Sequence, residues 1–219
     1  MSTVILKDEY QIYDRLARYR RQNSIIGPVG WVRAFLNDKL VVDKPNLVVA
    51  QGREFVAQKT FNLIDMETGQ RTDYRDFVID HFGIGSGGST ISNGEVTLNG
   101  PQVCDTSLYD TIAFSDSGTY LTEPDGTQYA LKSITSDGSI YLEPGELCSP
   151  DDYYTKVKCT CKVVAGEPTT LADGDSIKID EAALYFTNGT TAKMFSHICF
   201  APKWKEKESE FVLVWYILY

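Results

Sequence analysis

Four groups of residues in this sequence carry chemical potential: a glycine run, the two histidines, the five cysteines and a set of acids between residues 173 and 181. Gly83-Ile84-Gly85-Ser86-Gly87-Gly88 comes after a strand-like stretch and fits the spacing G-x-G-x-x-G. In a dinucleotide site that turn wraps backbone N–H groups around a pyrophosphate at the N-terminus of a helix. Residues 89–100 contain Ser, Asn and further Gly with no amphipathic stripe, so the run reads as a flexible connecting loop that binds no nucleotide.

Nucleophilic catalysis fares no better. A Ser-His-Asp or Cys-His device needs His81 or His197, neither lies beside a nucleophile motif, and the glycine run lacks the G-x-S-x-G spacing. His197 alternates with Phe195 and Cys199 as on a strand, which makes it a packed or interface residue, and His81 reads the same way. The cysteines, at 104, 148, 159, 161 and 199, are odd in number, form no C-x-x-C pair and stand far from both histidines, so they read as core residues and not as zinc ligands. Asp173, Asp175, Asp180 and Glu181 lack the spacing of a calcium loop and read as solvated turn residues. Glycoside hydrolysis requires a spatial pair of carboxylates, and thirty acids offer too many pairs to single one out. The expectation is a chain with no catalytic residues, no cofactor and no metal.

The elements that would position such residues are mostly strands. The 219 residues suffice for one sizeable core, and thirteen Tyr, ten Phe and three Trp favour strands while seventeen Gly and eight Pro supply turns. Residues 30–42 alternate around Asn37-Asp38 as a hairpin; residues 77–82 form a strand; turn signals recur at Asn99-Gly100, Asp125-Gly126 and Asp137-Gly138. Residues 153–164 alternate with Tyr153, Val157, Cys159, Cys161 and Val163 on one face, and residues 182–187 and 190–200 flank Asn188-Gly189. Residues 211–219 carry no charge and are apolar on both faces, the mark of a central strand. Two helices are expected, a short one over 53–64 with Phe55, Val56 and Leu63 inward, and one over 6–21 with Asp8 and Glu9 early and arginines late.

Together these give a mainly β protein: an antiparallel β-sandwich or barrel-like, jelly-roll-like domain at 29–219, preceded by an N-terminal helical arm at 1–28. The arm's apolar stripe needs a surface, on its own domain or a neighbour. Tyr10, Tyr13, Leu16, Arg20 and Arg21 are the candidate protein-interface residues, and the expectation is that the arm docks on a neighbouring subunit. A net charge of -9 repels phosphate backbones, which argues against nucleic acid as a direct partner. No apolar run reaches the length of a membrane span, and residues 1–11 lack a signal-peptide core, so a soluble chain made in a cytoplasm is expected.

Several separated segments resemble β-rich virion proteins of tailed bacteriophages. Asn46-Leu47-Val48-Val49 with Gly52-Arg53 is similar to the stretch before their short helix, Phe82-Gly83-Ile84-Gly85-Ser86-Gly87 to their glycine loop, and Asp105-Thr106-Ser107-Leu108 to the segment after that loop. Residues 179–186 resemble a strand motif, with Ala183 where Gly is usual. Residues 194–200, Lys203 and 211–219 resemble the closing hairpin, with His197 where Arg is common. The resemblance runs loosely over 46–219 and implies a non-enzymatic virion subunit, of the collar or neck, the tail or the capsid decoration, assembled in the host cytoplasm with copies of itself and other virion proteins. A receptor- or carbohydrate-binding module is the alternative.

Overall fold

A computed structural model describes residues 2–25, 27–61, 74–115, 120–122, 128–134, 138–143 and 156–219. The protein is mainly β, with two helices among the described residues and an antiparallel sheet curled into a barrel-like half-shell. Among the described residues ten strands form that sheet: β1 (Val29–Leu36), β2 (Lys39–Val48), β3 (Val78–Gly85), β6 (Thr111–Ile112), β9 (Lys132–Ser133), β10 (Ser139–Glu143), β11 (Lys156–Val163), β12 (Ser176–Thr187), β13 (Ala192–Glu206) and β14 (Phe211–Leu218). Their order is β10-β11-β14-β1-β2-β13-β12-β3-β6, with β9 also on β3. Two small hairpins stand apart, β4 (Ser89–Ser92) with β5 (Glu95–Leu98), and β7 (Tyr120–Thr122) with β8 (Gln128–Ala130).

The corner of the curl is β2. Its residues 39–46 pair with β1, and then Leu47 and Val48 pair with β13. Pro45, which has no N–H to offer a ladder, sits just before the change of partner. Both halves turn one face inward onto a single core holding Val32, Cys161, Leu213 and Trp215 from one half and Phe82, Ile179, Leu184 and Phe195 from the other. At the open ends, Lys132 Nζ of β9 donates to Lys162 O of β11 at 3.1 Å and to Glu167 Oε2 at 2.8 Å, tying one edge of the curl to the other.

Local signals account for the turns. Asn37 and Asp38 take φ of 48° and 63°, the left-handed pair that a tight β1–β2 hairpin needs. At the β12–β13 connection, Asn188 Oδ1 accepts from the N–H groups of Thr190 and Thr191, so the turn expected at Asn188-Gly189 spans four residues. Of the expected elements, Leu63, Asp125-Gly126, Asp137 and Tyr153 lie outside the described residues. The short helix, α2 (Ala50–Phe61), starts three residues before the expected point, and its Phe55 stacks on Phe186 at 4.4 Å.

The N-terminal helix, α1 (Ser2–Gln22), begins earlier than its apolar spacing indicates, so Asp8 and Glu9 fall in its interior and not in its first turn. It ends in a Schellman turn: Ser24 takes φ 51°, Ile25 N donates to Arg20 O and Ser24 N to Arg21 O. Ile12, Tyr13, Leu16 and Ala17 are buried against Val29, Val214, Tyr216 and Leu218, on the face of β1 and β14 opposite the main core. This corrects the docking-arm expectation. The central strand is apolar on both faces, one face fills the barrel core, and the chain's own helix covers the other.

Candidate functional site

Between Ile179 and Glu181 the β12–β13 register shifts, so that Asp180 alone stands against residues 200–202 of β13. Consecutive residues of a regular strand point to opposite faces, but here Asp180 and Glu181 both serve the outer side of the β12–β13 sheet, beneath residues 86–110. Each is fully buried.

Asp180 Oδ1 accepts from Gly88 N at 2.8 Å, while Oδ2 accepts from Ser89 Oγ at 2.6 Å and pairs with Lys178 Nζ at 2.8 Å. Glu181 Oε1 accepts from Gly87 N at 3.0 Å and Asp110 N at 2.9 Å; its Oε2 accepts from Tyr109 N at 3.0 Å. Two adjacent carboxylates thus gather the orphan backbone donors of two loops. Charge-assisted hydrogen bonds of this kind contribute about 1.5–3 kcal/mol each, which is what makes burying the acids tolerable.

His197 of β13 completes the cluster. Its Nε2 lies 3.0 Å from Glu181 Oε2 and its Nδ1 2.7 Å from Asp105 Oδ2, so each ring nitrogen faces a carboxylate oxygen. Asp105 also accepts from Gln102 N at 2.7 Å and from the Tyr109 hydroxyl at 3.1 Å. The Tyr109 ring stands edge-on to the imidazole at 5.0 Å. Cys199, two residues along the same face of β13 and directly opposite Glu181, brings its Sγ to 3.6 Å from His197 Nε2.

This contact does not make a nucleophile. Burial, then the negative charges of Glu181, Asp105 and Asp180, push the Cys199 thiol up to about 12, and Nε2 is already engaged by Glu181. Burial and the hydrogen bond to Asp105 likewise raise the Tyr109 hydroxyl above its ordinary range. The cluster is built to hold hydrogen bonds in place.

Its structural charge is the root of the β4–β5 hairpin. Gly88 and Ser89 are clamped by Asp180, and on the return strand Asn99 donates from N to Gly88 O at 2.9 Å and from Nδ2 to Gly87 O at 2.7 Å. A Cβ on Gly88 would meet Asp180 O at 2.1 Å, so the glycine is there for close approach. The expected flexible loop is therefore corrected: Gly83 to Gly85 belong to β3, and the rest is pinned to β12.

Beyond the root, Asn93 and Gly94 take φ of 51° and 81° in a tight turn, and the register pairs Ile91 with Val96 and Ser89 with Leu98. The Thr90, Ser92, Glu95 and Thr97 face is polar. On the other face Ile91, Val96 and Leu98 remain 44–49% exposed. Val103 and Tyr109 on the next loop are exposed too, as is Trp204 on β13.

The candidate interface residues on α1 divide. Tyr13 and Leu16 are buried within the chain, Arg20 is half-buried with its Nε donating to Ile25 O, and Arg21 is exposed; the Tyr10 side chain lies outside the described residues. Of the acids expected in a solvated turn, Asp173 fits, paired at the surface with Lys207, while Asp180 and Glu181 are the correction. His197 is packed as expected. Sequence reading missed Asp105 as its partner and passed over Asn93-Gly94, a hairpin signal flanked by alternating residues. No helix among the described residues is long and apolar enough to cross a membrane. The chain matches no family model, no curated protein and no solved structure.

Proposed function

We propose that this chain is a non-enzymatic assembly subunit of a tailed-bacteriophage particle, of the collar, neck or tail, joined to copies of itself and to other virion proteins through the β4–β5 hairpin. The observation that carries the reading is the hairpin itself. Two-stranded hairpins are marginal alone, yet this one is fixed at its root by buried acids and presents Ile91, Val96 and Leu98 outward. Rigid display of apolar side chains serves a surface that meets a neighbour. The segment resemblances to virion proteins support the particle; a decoration role on the capsid uses the same surface.

Substituting Ile91→Glu and Val96→Glu together tests it. The variant keeps its melting temperature and loses incorporation into particles, as read by mass spectrometry of purified virions. Incorporation at the parental level overturns the reading.

A second reading has one observation in its favour. Trp204 is 55% exposed, and an exposed indole stacks on sugar rings. Glycan-array binding that disappears in Trp204→Ala selects a carbohydrate-binding module instead.

A further inference from the structure

Glu181, His197 and Cys199 bring a carboxylate oxygen, an imidazole nitrogen and a sulfur within 4.8 Å of one another, all buried. A tetrahedral zinc ion with Zn–N near 2.05 Å, Zn–O near 2.0 Å and Zn–S near 2.3 Å sets N···S at roughly 3.5 Å and N···O at roughly 3.3 Å. The observed separations are 3.6 Å for Cys199 Sγ to His197 Nε2 and 3.0 Å for Nε2 to Glu181 Oε2. The second, independent feature is Asp105. Its carboxylate at 2.7 Å from Nδ1 takes the N–H of that nitrogen and turns the Nε2 lone pair toward the other two donors, the arrangement by which outer-shell carboxylates orient histidine ligands.

We propose that Glu181, His197 and Cys199 form a zinc-binding centre, oriented by Asp105, with water in the fourth position. Because the ligands are at most 1% exposed, the ion enters as the chain folds. The centre ties β12 and β13 to the 99–110 loop, whatever the hairpin above it meets.

The full-length chain, unfolded and refolded with cobalt(II) as the zinc surrogate, tests this. One cobalt per chain is expected, with the visible bands of tetrahedral cobalt and a near-ultraviolet sulfur-to-cobalt band that is lost in Cys199→Ser and retained in Cys104→Ser. Absence of stoichiometric binding, or a sulfur band that survives Cys199→Ser, overturns the proposal. Should Cys199→Ser fail to fold, zinc X-ray absorption on the parental chain decides: a first shell of one sulfur and lighter donors supports the centre, and a shell without sulfur overturns it.

Discussion

The Tyr13 ring of α1 meets the Tyr216 ring of β14 edge-on, with centroids 5.7 Å apart and planes at 84°. This contact joins the helix to the strand whose other face forms the barrel core.

Leu16 is fully buried beside it, so Leu16→Ala is expected to destabilise the whole domain by about 3 kcal/mol, through lost burial and the cavity left behind. Removing residues 1–21 exposes Val214, Tyr216 and Leu218 and yields an insoluble or molten chain. Urea unfolding tracked by Trp fluorescence measures the first; a soluble, cooperatively melting truncation would show that the helix is dispensable after all.

Deleting Phe211–Leu218 abolishes folding. The strand lies between β1 and β11 and buries large side chains on both faces, at about 1.5–3 kcal/mol each, so the loss exceeds the net stability of a typical domain. Circular dichroism of a chain ending at Glu210 is the check, and a native-like near-ultraviolet spectrum contradicts it.

Asp180→Asn removes a buried charge from Lys178, Gly88 and Ser89 and costs about 3–5 kcal/mol. Hydrogen exchange should show the amides of 87–99 losing protection well before those of β14. Uniform loss across the sheet would mean that the acid supports the core and not the hairpin root.

Thiol labelling under native conditions should modify Cys104 first, because it is exposed while Cys159, Cys161 and Cys199 are buried; Cys148 lies outside the described residues. Burial pushes the Cys159 thiol up to about 12 from an ordinary value of 9.0. A raised folded value stabilises the neutral thiol, so its contribution is complete below pH 9 and is lost as pH rises toward 12. Chemical denaturation across this alkaline range should show falling stability, and Cys159→Ala should flatten the slope.

Gly94→Val places a β-branched residue at φ 81° and is expected to cost about 1–3 kcal/mol of local strain. Exchange protection should fall in β4 and β5 while the global melting temperature stays put.

Much of the fold was legible because faces are local. Nine uncharged residues at 211–219 announce a strand covered on both sides, and Cys159, Cys161 and Val163 announce one buried face, since side chains alternate with a period of two. What covers a face is not local. The α1 stripe fitted a neighbour's surface as well as its own sheet, and only the curl of that sheet, turning at β2, left the outer side of β14 free to receive it. The acids make the same point more sharply. Asp180 and Glu181 read as solvated because burying a carboxylate is costly; they are buried because the chain brings N–H donors to them from 71 to 94 residues away. A sequence displays the charge beside its neighbours, whereas the hydrogen bonds that satisfy it exist after the loops close over β12.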